Sequence, residues 1–462
     1  MVGVDVVHIY PNGSTPRQLV MYSPAMSDDA TVRLPAKVMA VLGAGPKGIS
    51  IAAKAMVLAE LGFDVPQVQL IEACEPGANW NGRHGYTTGQ QPLGTPPEKD
   101  LGYPYSSSCW GDKSKLVDSR MHRYSWHAYL VDVGDLASWV DRGRPQPEHR
   151  QWAEYLEWAC GRCSEPLISR VDEIDLNQNS WRLRGSDGLD LVADVLVITG
   201  PGAPKHVPTE GERNRIFDGK TFWENAEVFR RTDKSTHVCV IGSGETAAAV
   251  AVELLRWSPK TKIKIFSPEG VIYSRGESFQ ENRYYSDPSD WKQLTVEHRR
   301  QFVRRTDRGV FSRYAKKALD AADNVEYLLG RVRKLVGEET RVLVYDEYGS
   351  DSKVQAFDYV VDAIGFDPLS FRALMTNEAA GILHTRCAFN ATSSAPDVEP
   401  LIGQSLAVEG MDPPLHVPML AAFAEGPGFP NLSALGLLSD RVLGPYCKAS
   451  IQEAIAKKKL RQ

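Results

Sequence analysis

Residues 38–62 read VMAVLGAGPKGISIAAKAMVLAELG. An apolar run, a glycine turn and a second apolar-periodic run ending at Gly62 predict a buried strand, a tight turn and a helix. The next apolar run, VQLIEA, predicts a second strand. In such a unit Gly43 permits the turn, Gly45 lets backbone approach a pyrophosphate, and Gly48 lets helix and strand pack closely. Phosphate would face the N–H groups and positive end of the helix. Glu72 closes the second strand about 24 residues after Gly48, where an acid accepts hydrogen bonds from ribose hydroxyls. The pattern predicts a dinucleotide site.

The pattern recurs. Residues 238–257, VCVIGSGETAAAVAVELLRW, predict a second strand, turn and helix, followed by the strand KIKIFS. Gly242, Gly244 and Ala247 take the three small-residue positions. This time the strand ends at Phe266-Ser267 with no acid, and that favours NADPH, whose 2′-phosphate an acid would repel. Ser267 and Arg275 are candidate contacts for that phosphate. Returning strands are expected at LVADVLVITGPG (191–202) and FDYVVDAIGFDP (357–368). Two dinucleotide folds about 200 residues apart are the layout of a flavoprotein that takes hydride from a nicotinamide. The expected fold class is therefore α/β with two Rossmann-like domains, one for FAD and one for NADPH, and a small helical substrate-binding region.

The organisation follows. Residues 1–35 carry several prolines and no periodic segment, so an N-terminal arm is expected. The FAD domain is expected over 36–205 and 355–450, and the NADPH domain over 206–354. Residues 77–118 are dense in Gly, Pro, Ser and Thr, a long loop of the kind that carries function or moves. RQWAEYLEWACGRC (150–163) places Trp152, Tyr155, Leu156 and Ala159 on one helix face. Residues 325–348 read as β-ribbon.

Composition excludes other classes. The 462 residues suggest about three domain-sized units, with 42% hydrophobic and 24% charged residues. A net charge of -5 with interspersed signs gives no support for a nucleic-acid partner. No apolar stretch reaches membrane-helix length, so no stable membrane insertion is expected. MVGVDVVHIYPNG lacks the basic start of a secretory signal, and seven scattered cysteines suit a reducing compartment, so the expected location is cytoplasmic. Cys160-Gly-Arg-Cys163 is a lone CxxC on an amphipathic helix and reads as core. No metal site is expected. Association of identical chains is expected, in a number the sequence does not give.

Among flavoenzymes, the chain resembles the flavin-dependent N-hydroxylating monooxygenases of siderophore biosynthesis. The likeness is greatest to the lysine N6-hydroxylases of mycobactin- and nocobactin-type pathways. It is carried by GAGPKGISIAAKA, GANWNGRHGYTTGQQPLGTPPEKDLGYPY, RMHRYSWHAYL, SWVDRGRPQPEHRQWAEYLEWA, VIGSGETAA, RGESFQENRYYSDPSDW, RTDRGVFS and GPGFPNLSALGLLSDRVLG, from about Lys37 to Gly444. The last three are much more specific than the glycine motifs.

The resemblance implies FAD in the first site and NADPH in the second. It implies hydroxylation of the L-lysine side-chain amine by O2 through a C4a-hydroperoxyflavin. L-Ornithine N5-hydroxylation is the alternative within the class. Outside it, the alternatives are a non-hydroxylating NADPH-dependent flavoprotein and a nucleotide-binding protein that has lost catalysis.

By the same resemblance Lys99 matches the lysine that grips the substrate carboxylate. Asn282 matches an asparagine at the amino-acid end, although the ornithine enzymes read Asn-Glu where this chain reads Glu281-Asn282. Asp307 falls near a substrate-contacting asparagine, or caps a helix. Ser439 matches a serine beside substrate and flavin, and Trp80 an aromatic near the flavin. Two departures stand out. The strand-end signature Ala-Thr-Gly-Tyr is here Ala363-Ile-Gly365-Phe366, and a flavin-side glutamine five residues before the substrate lysine is here Gly94.

Overall fold

In the computed structural model, the described residues are 37–177, 179–230, 235–348, 351–387, 389 and 392–449. The expected N-terminal arm lies outside them.

The strands that matter, in chain order, are β1 (Val38–Leu42), β2 (Gln67–Glu72), β3 (Leu167–Ile168), β4 (Val195–Ile198), β5 (Ile216–Asp218), β6 (His237–Ile241), β7 (Lys262–Ser267), β8 (Tyr273–Ser274), β9 (Val310–Phe311), β10 (Val325–Leu329), β11 (Tyr359–Asp362) and β12 (Leu415–His416). The helices are α1 (Pro46–Glu60), α2 (His149–Cys160), α3 (Glu245–Trp257), α4 (Phe279–Ser286), α5 (Val296–Thr306), α6 (Arg313–Asp320) and α7 (Leu435–Leu443).

The first sheet is parallel, in the order β12-β4-β1-β2-β3. Met39, Ala40 and Val41 of β1 and Val195, Leu196 and Val197 of β4 are fully buried. Parallel strands covered on both faces need such continuous apolar runs. Residues of α1 and α2 fill the same core, including Ile49, Leu58, Trp152 and Tyr155. Cys160 and Cys163 are free and buried there, and burial pushes the Cys160 thiol up to about 11. A redox-active cysteine needs the opposite shift.

The second sheet is also parallel, in the order β5-β11-β6-β7-β10, with its own apolar core between the sheet and α3 and α6. It takes in β11, which lies past the 206–354 range expected from sequence. It also takes in β10, the first strand of the stretch read as ribbon. Only the later part of that stretch, Arg331–Gly337 and Val342–Tyr348, forms antiparallel ribbon. The alternating ribbon pattern hid β10 because it is the sheet's last strand and has only β7 beside it.

The crossover from β7 to β10 carries a helical insertion. Its ends are tied where β8 pairs with β9. Inside it, α4 and α5 surround the fully buried Trp291, whose indole N–H donates to the Phe423 carbonyl at 3.0 Å. Lys292 and Glu425 add a 2.6 Å ion pair. These contacts press the insertion against the segment that leads into α7. Among the described residues no helix is long and apolar enough to cross a membrane.

Candidate active site

The first glycine turn is built to admit a ligand. Gly43 has φ +107°, and a Cβ there would lie 2.4 Å from Thr199 Oγ1. A Cβ on Gly48 would lie 2.1 Å from the Gly43 carbonyl oxygen. A Cβ on Gly45 would meet no protein atom within 4 Å, so the space in front of this residue is open. Glu72 stands beside it and accepts the Ala44 N–H at 2.9 Å and the Cys74 N–H at 3.2 Å. An open cradle flanked by a fixed carboxylate fits the pyrophosphate and ribose of a dinucleotide.

The second turn repeats the design. Gly242 has φ +131°, and its Cβ would lie 2.4 Å from the Ala363 carbonyl oxygen. Gly244 faces open space, and Ala247 is fully buried against the sheet. Ser267 is 3% exposed and its hydroxyl accepts the Glu269 N–H at 3.2 Å. Glu245, at the start of α3, accepts the Ser312 N–H at 2.6 Å. The same carboxylate reaches the first half of the molecule, with Oε1 3.7 Å from where a Gly94 Cβ would be.

Beside these turns four distant segments converge. Lys99 Nζ lies 3.4 Å from Ser433 Oγ and over the Tyr103 ring. The Ser433 N–H donates to Asn431 Oδ1 at 2.8 Å. The Asn431 amide donates to Asp307 Oδ1 at 3.5 Å. Asp307 in turn sits 3.7 Å from an Arg275 nitrogen. The result is a continuous polar chain of alternating charge: Lys99, Asp307, Arg275.

Local structure explains each position. Asp100 is 2% exposed and accepts from the Tyr105 hydroxyl at 2.7 Å and from the Trp126 and Gly102 N–H groups. Burial pushes its carboxyl up to about 6, against those bonds. With Asp100 anchored inward, its half-buried neighbour Lys99 is left at the site's edge. Burial and the nearby Arg275 charge lower the Lys99 pKa. Asp307 follows α5 as its C-terminal cap residue. Lys47, in the first turn of α1, also feels this acid. Burial pushes its ammonium down to about 8, with Asp307 opposing.

The remaining sequence candidates lie as follows. The Arg275 guanidinium donates to the Thr306 and Asp307 carbonyls, at 3.3 and 3.2 Å. Burial opposes its charge, but Asp307, Tyr285, Glu245 and Glu281 outweigh it and raise its pKa. Asn282 is exposed and donates to the Ser278 carbonyl at 3.0 Å. Its neighbour Glu281 is the buried one and accepts the Gly276 N–H at 2.6 Å. Ser439 is fully buried, and its hydroxyl donates to the Gly436 carbonyl of its own helix at 2.9 Å. Trp80 packs edge-on to His149, centroids 4.9 Å apart. Sequence reasoning passed over Asn431 and Ser433. They lie in the quoted GPGFPNLS run, where Asn-Leu-Ser before a helix reads as capping alone.

Comparisons with known proteins give this geometry its place. Residues 116–327 match the family described as L-lysine 6-monooxygenase/L-ornithine 5-monooxygenase. The L-lysine N6-monooxygenase MbtG of Mycobacterium tuberculosis is 41% identical over 411 residues, covering 88% of this chain and 94% of that protein. The chain belongs to this family. The MbtG of Mycolicibacterium paratuberculosis is 40% identical over 95% of its length. The lysine monooxygenase NbtG from Nocardia farcinica, whose structure is noted for an unprecedented NADPH domain conformation, superposes with a TM-score of 0.79. It is 38% identical, with coverage of 88% of this chain and 100% of that one. An ornithine N-hydroxylase from Kutzneria sp. 744 shares the fold, with a TM-score of 0.68 at 16% identity over 92% of this chain and all of its own. Arg275 and Asp307 lie within the matched residues 116–327, and Lys99 and Asn431 lie outside them.

Proposed function

We propose that this protein is an FAD- and NADPH-dependent monooxygenase that hydroxylates the side-chain amine of L-lysine for hydroxamate siderophore biosynthesis. The observation that carries the reading is the polar chain from Lys99 through Ser433 and Asn431 to Asp307, set beside the open Gly45 cradle. Identity of 41% to an L-lysine N6-monooxygenase supports lysine over ornithine. Sequence spacing alone does not, since one methylene is worth roughly 1–3 kcal/mol of discrimination.

In this reading Gly43, Gly45, Gly48 and Glu72 hold FAD, with Trp80 near it, and the first sheet with its returning segments forms that domain. Gly242, Gly244 and Ala247 hold NADPH on the second sheet. Bound there, FAD would supply the oxygen activation and NADPH the hydride, chemistry that belongs to the cofactors. The chain's own residues bind and aim the amino acid. The Lys99 ammonium takes the α-carboxylate, and Asp307, held by Asn431, takes the α-ammonium. Clamping both ends of the zwitterion fixes where the far amine points, and such orientation lowers a barrier without touching the reacting atoms.

The reacting amine must lose its proton. At a pKa of about 10.4 that costs roughly 4–5 kcal/mol at pH 7, at 1.36 per unit. A carboxylate beside it would raise the cost, and desolvation lowers it. Asp307 therefore serves the α-ammonium end. Seven free cysteines support a reducing, cytoplasmic setting.

The test is hydroxylamine formation with FAD, NADPH and O2, comparing L-lysine with L-ornithine. Lysine-dependent product at a higher kcat/KM than with ornithine is expected. Preference for ornithine would move the substrate, and no product with either would reject the hydroxylase reading.

A further inference from the structure

The second sheet fixes where the adenosine end of NADPH must lie. In a doubly wound sheet the ribose sits beyond the carboxyl end of the second strand, here β7. Both residues that sequence suggests for the 2′-phosphate already have protein partners. Ser267 is 3% exposed, and its hydroxyl oxygen accepts the Glu269 N–H. Arg275 is taken by the Thr306 and Asp307 carbonyls and faces Asp307.

The chain returns from β7 to β10 through α6, which packs on α3, the helix of the second glycine turn. The first residues of α6 follow directly from β9, which pairs with β8, a few residues past the end of β7. Arg313, Lys316 and Lys317 line an open concavity of about 740 Å3 with Ser274 of β8. Its one acid, Asp320, is occupied: Lys316 pairs with it at 2.7 Å and the Tyr327 hydroxyl donates to it at 2.9 Å. Arg313 and Lys317 remain. Four residues apart, they share a helix face. Both are exposed, and among the described residues neither pairs with a carboxylate. Two uncompensated like charges on one face gain by taking a dianion between them, and a guanidinium suits a phosphate in particular.

We propose that Arg313 and Lys317 of α6 bind the 2′-phosphate and set the preference for NADPH over NADH. The proposal rests on the reading of the second sheet as the NADPH site. It gives Arg275 to the substrate side of the molecule instead.

The experiment uses the FAD-loaded, full-length enzyme and two probes, 2′,5′-ADP and 5′-AMP, with titration calorimetry as readout. Wild-type protein is expected to bind 2′,5′-ADP the tighter by tenfold or more. In R313A/K317A that preference is expected to collapse to within about twofold, through loss of 2′,5′-ADP affinity alone. An unchanged preference in the double variant overturns the proposal. So does a collapse in R275A with the double variant unaffected, which returns the role to Arg275. Equal affinity of wild-type protein for the two probes would instead overturn the NADPH reading beneath it.

Discussion

Lys54 of α1 and Asp440 of α7 form a 2.7 Å ion pair in which the lysine side chain is fully buried. The Trp110 indole N–H donates to the same aspartate oxygen at 2.8 Å, and Lys54 also donates to Ser107 at 3.0 Å. The other aspartate oxygen, Oδ2, is buried without a partner. The pair staples the helix of the first glycine turn to the loop beyond Lys99 and to the helix entered from Ser433. Removing one partner strands a buried charge, at about 3–5 kcal/mol. Lys54→Met and Asp440→Leu should each lower the urea midpoint sharply. The double variant should recover much of the loss, because an apolar pair leaves no orphan charge.

Gly45 and Gly48 separate folding from cofactor binding. Gly45→Val points a side chain into space that no protein atom occupies, so the protein should fold and fail to bind FAD. Gly48→Val drives a side chain into the Gly43 carbonyl and should impair folding itself. Flavin absorbance after FAD loading, read with a thermal melt, distinguishes the two. FAD bound at wild-type affinity by Gly45→Val would refute the cradle assignment.

Lys99→Ala should raise the KM for lysine by about thirtyfold or more, the lower end of the 2–5 kcal/mol for truncating a buried charge partner. Asn431→Ala should raise it less, because Asn431 acts by holding Asp307. Steady-state kinetics at varied lysine decide. An unchanged KM in Lys99→Ala removes the carboxylate role.

How much of this was legible in the chain depends on how local the signal is. The glycine turns were, because sterics at Gly43 and Gly242 act within a few residues of β1 and β6. Lys99 was proposed through its segment, yet the neighbouring anchor that leaves it at the site's edge, Asp100, is visible only in three dimensions. Asn431 and Asp307 are 124 residues apart, and no periodicity records that they meet. Ser439 lies six residues past Ser433 in the same specific run, but Ser433 sits in the turn before α7 and contacts Lys99, whereas Ser439 lies within the helix and bonds to its backbone. Strand β11 could not be assigned to its sheet because a returning strand carries no mark of which sheet it completes.

His416 gives a pH signature. It is fully buried, bonded to the Ser405 carbonyl at 2.9 Å and the Tyr446 hydroxyl at 2.8 Å. Burial pushes its pKa down to about 4, although the Ser405 bond opposes the shift. A base with a depressed folded pKa gives stability that is complete above the unfolded pKa, about 6.5, and lost as pH falls toward the folded one. At 1.36 kcal/mol per unit, about 2 kcal/mol should go between pH 6.5 and 5. Urea unfolding at the two pH values, with His416→Gln as control, checks this. An equal pH slope in the variant would assign the effect elsewhere.

Gly94 offers no side chain at the position where the family resemblance expects a flavin-side glutamine. The glutamines nearby already have protein partners. Gln91 donates to Thr88 Oγ1 at 2.9 Å, and Gln90 accepts from Arg256 at 3.0 Å. A missing neutral hydrogen bond is worth about 0.5–1.5 kcal/mol, and more to a charged oxygen. At 1.36 kcal/mol per tenfold, that loss speeds decay of activated oxygen severalfold. The enzyme should therefore release hydrogen peroxide and oxidise more NADPH than the hydroxylysine it makes. Gly94→Gln should raise the coupling. The new Cβ would meet only Glu245 Oε1 within 4 Å, at an ordinary 3.7 Å, so the backbone need not move. The measurement is hydroxylysine formed per NADPH oxidised at saturating lysine, with peroxide assayed in parallel. A wild-type ratio near one with no peroxide would mean that another donor already supplies the bond, and would overturn this reading of Gly94.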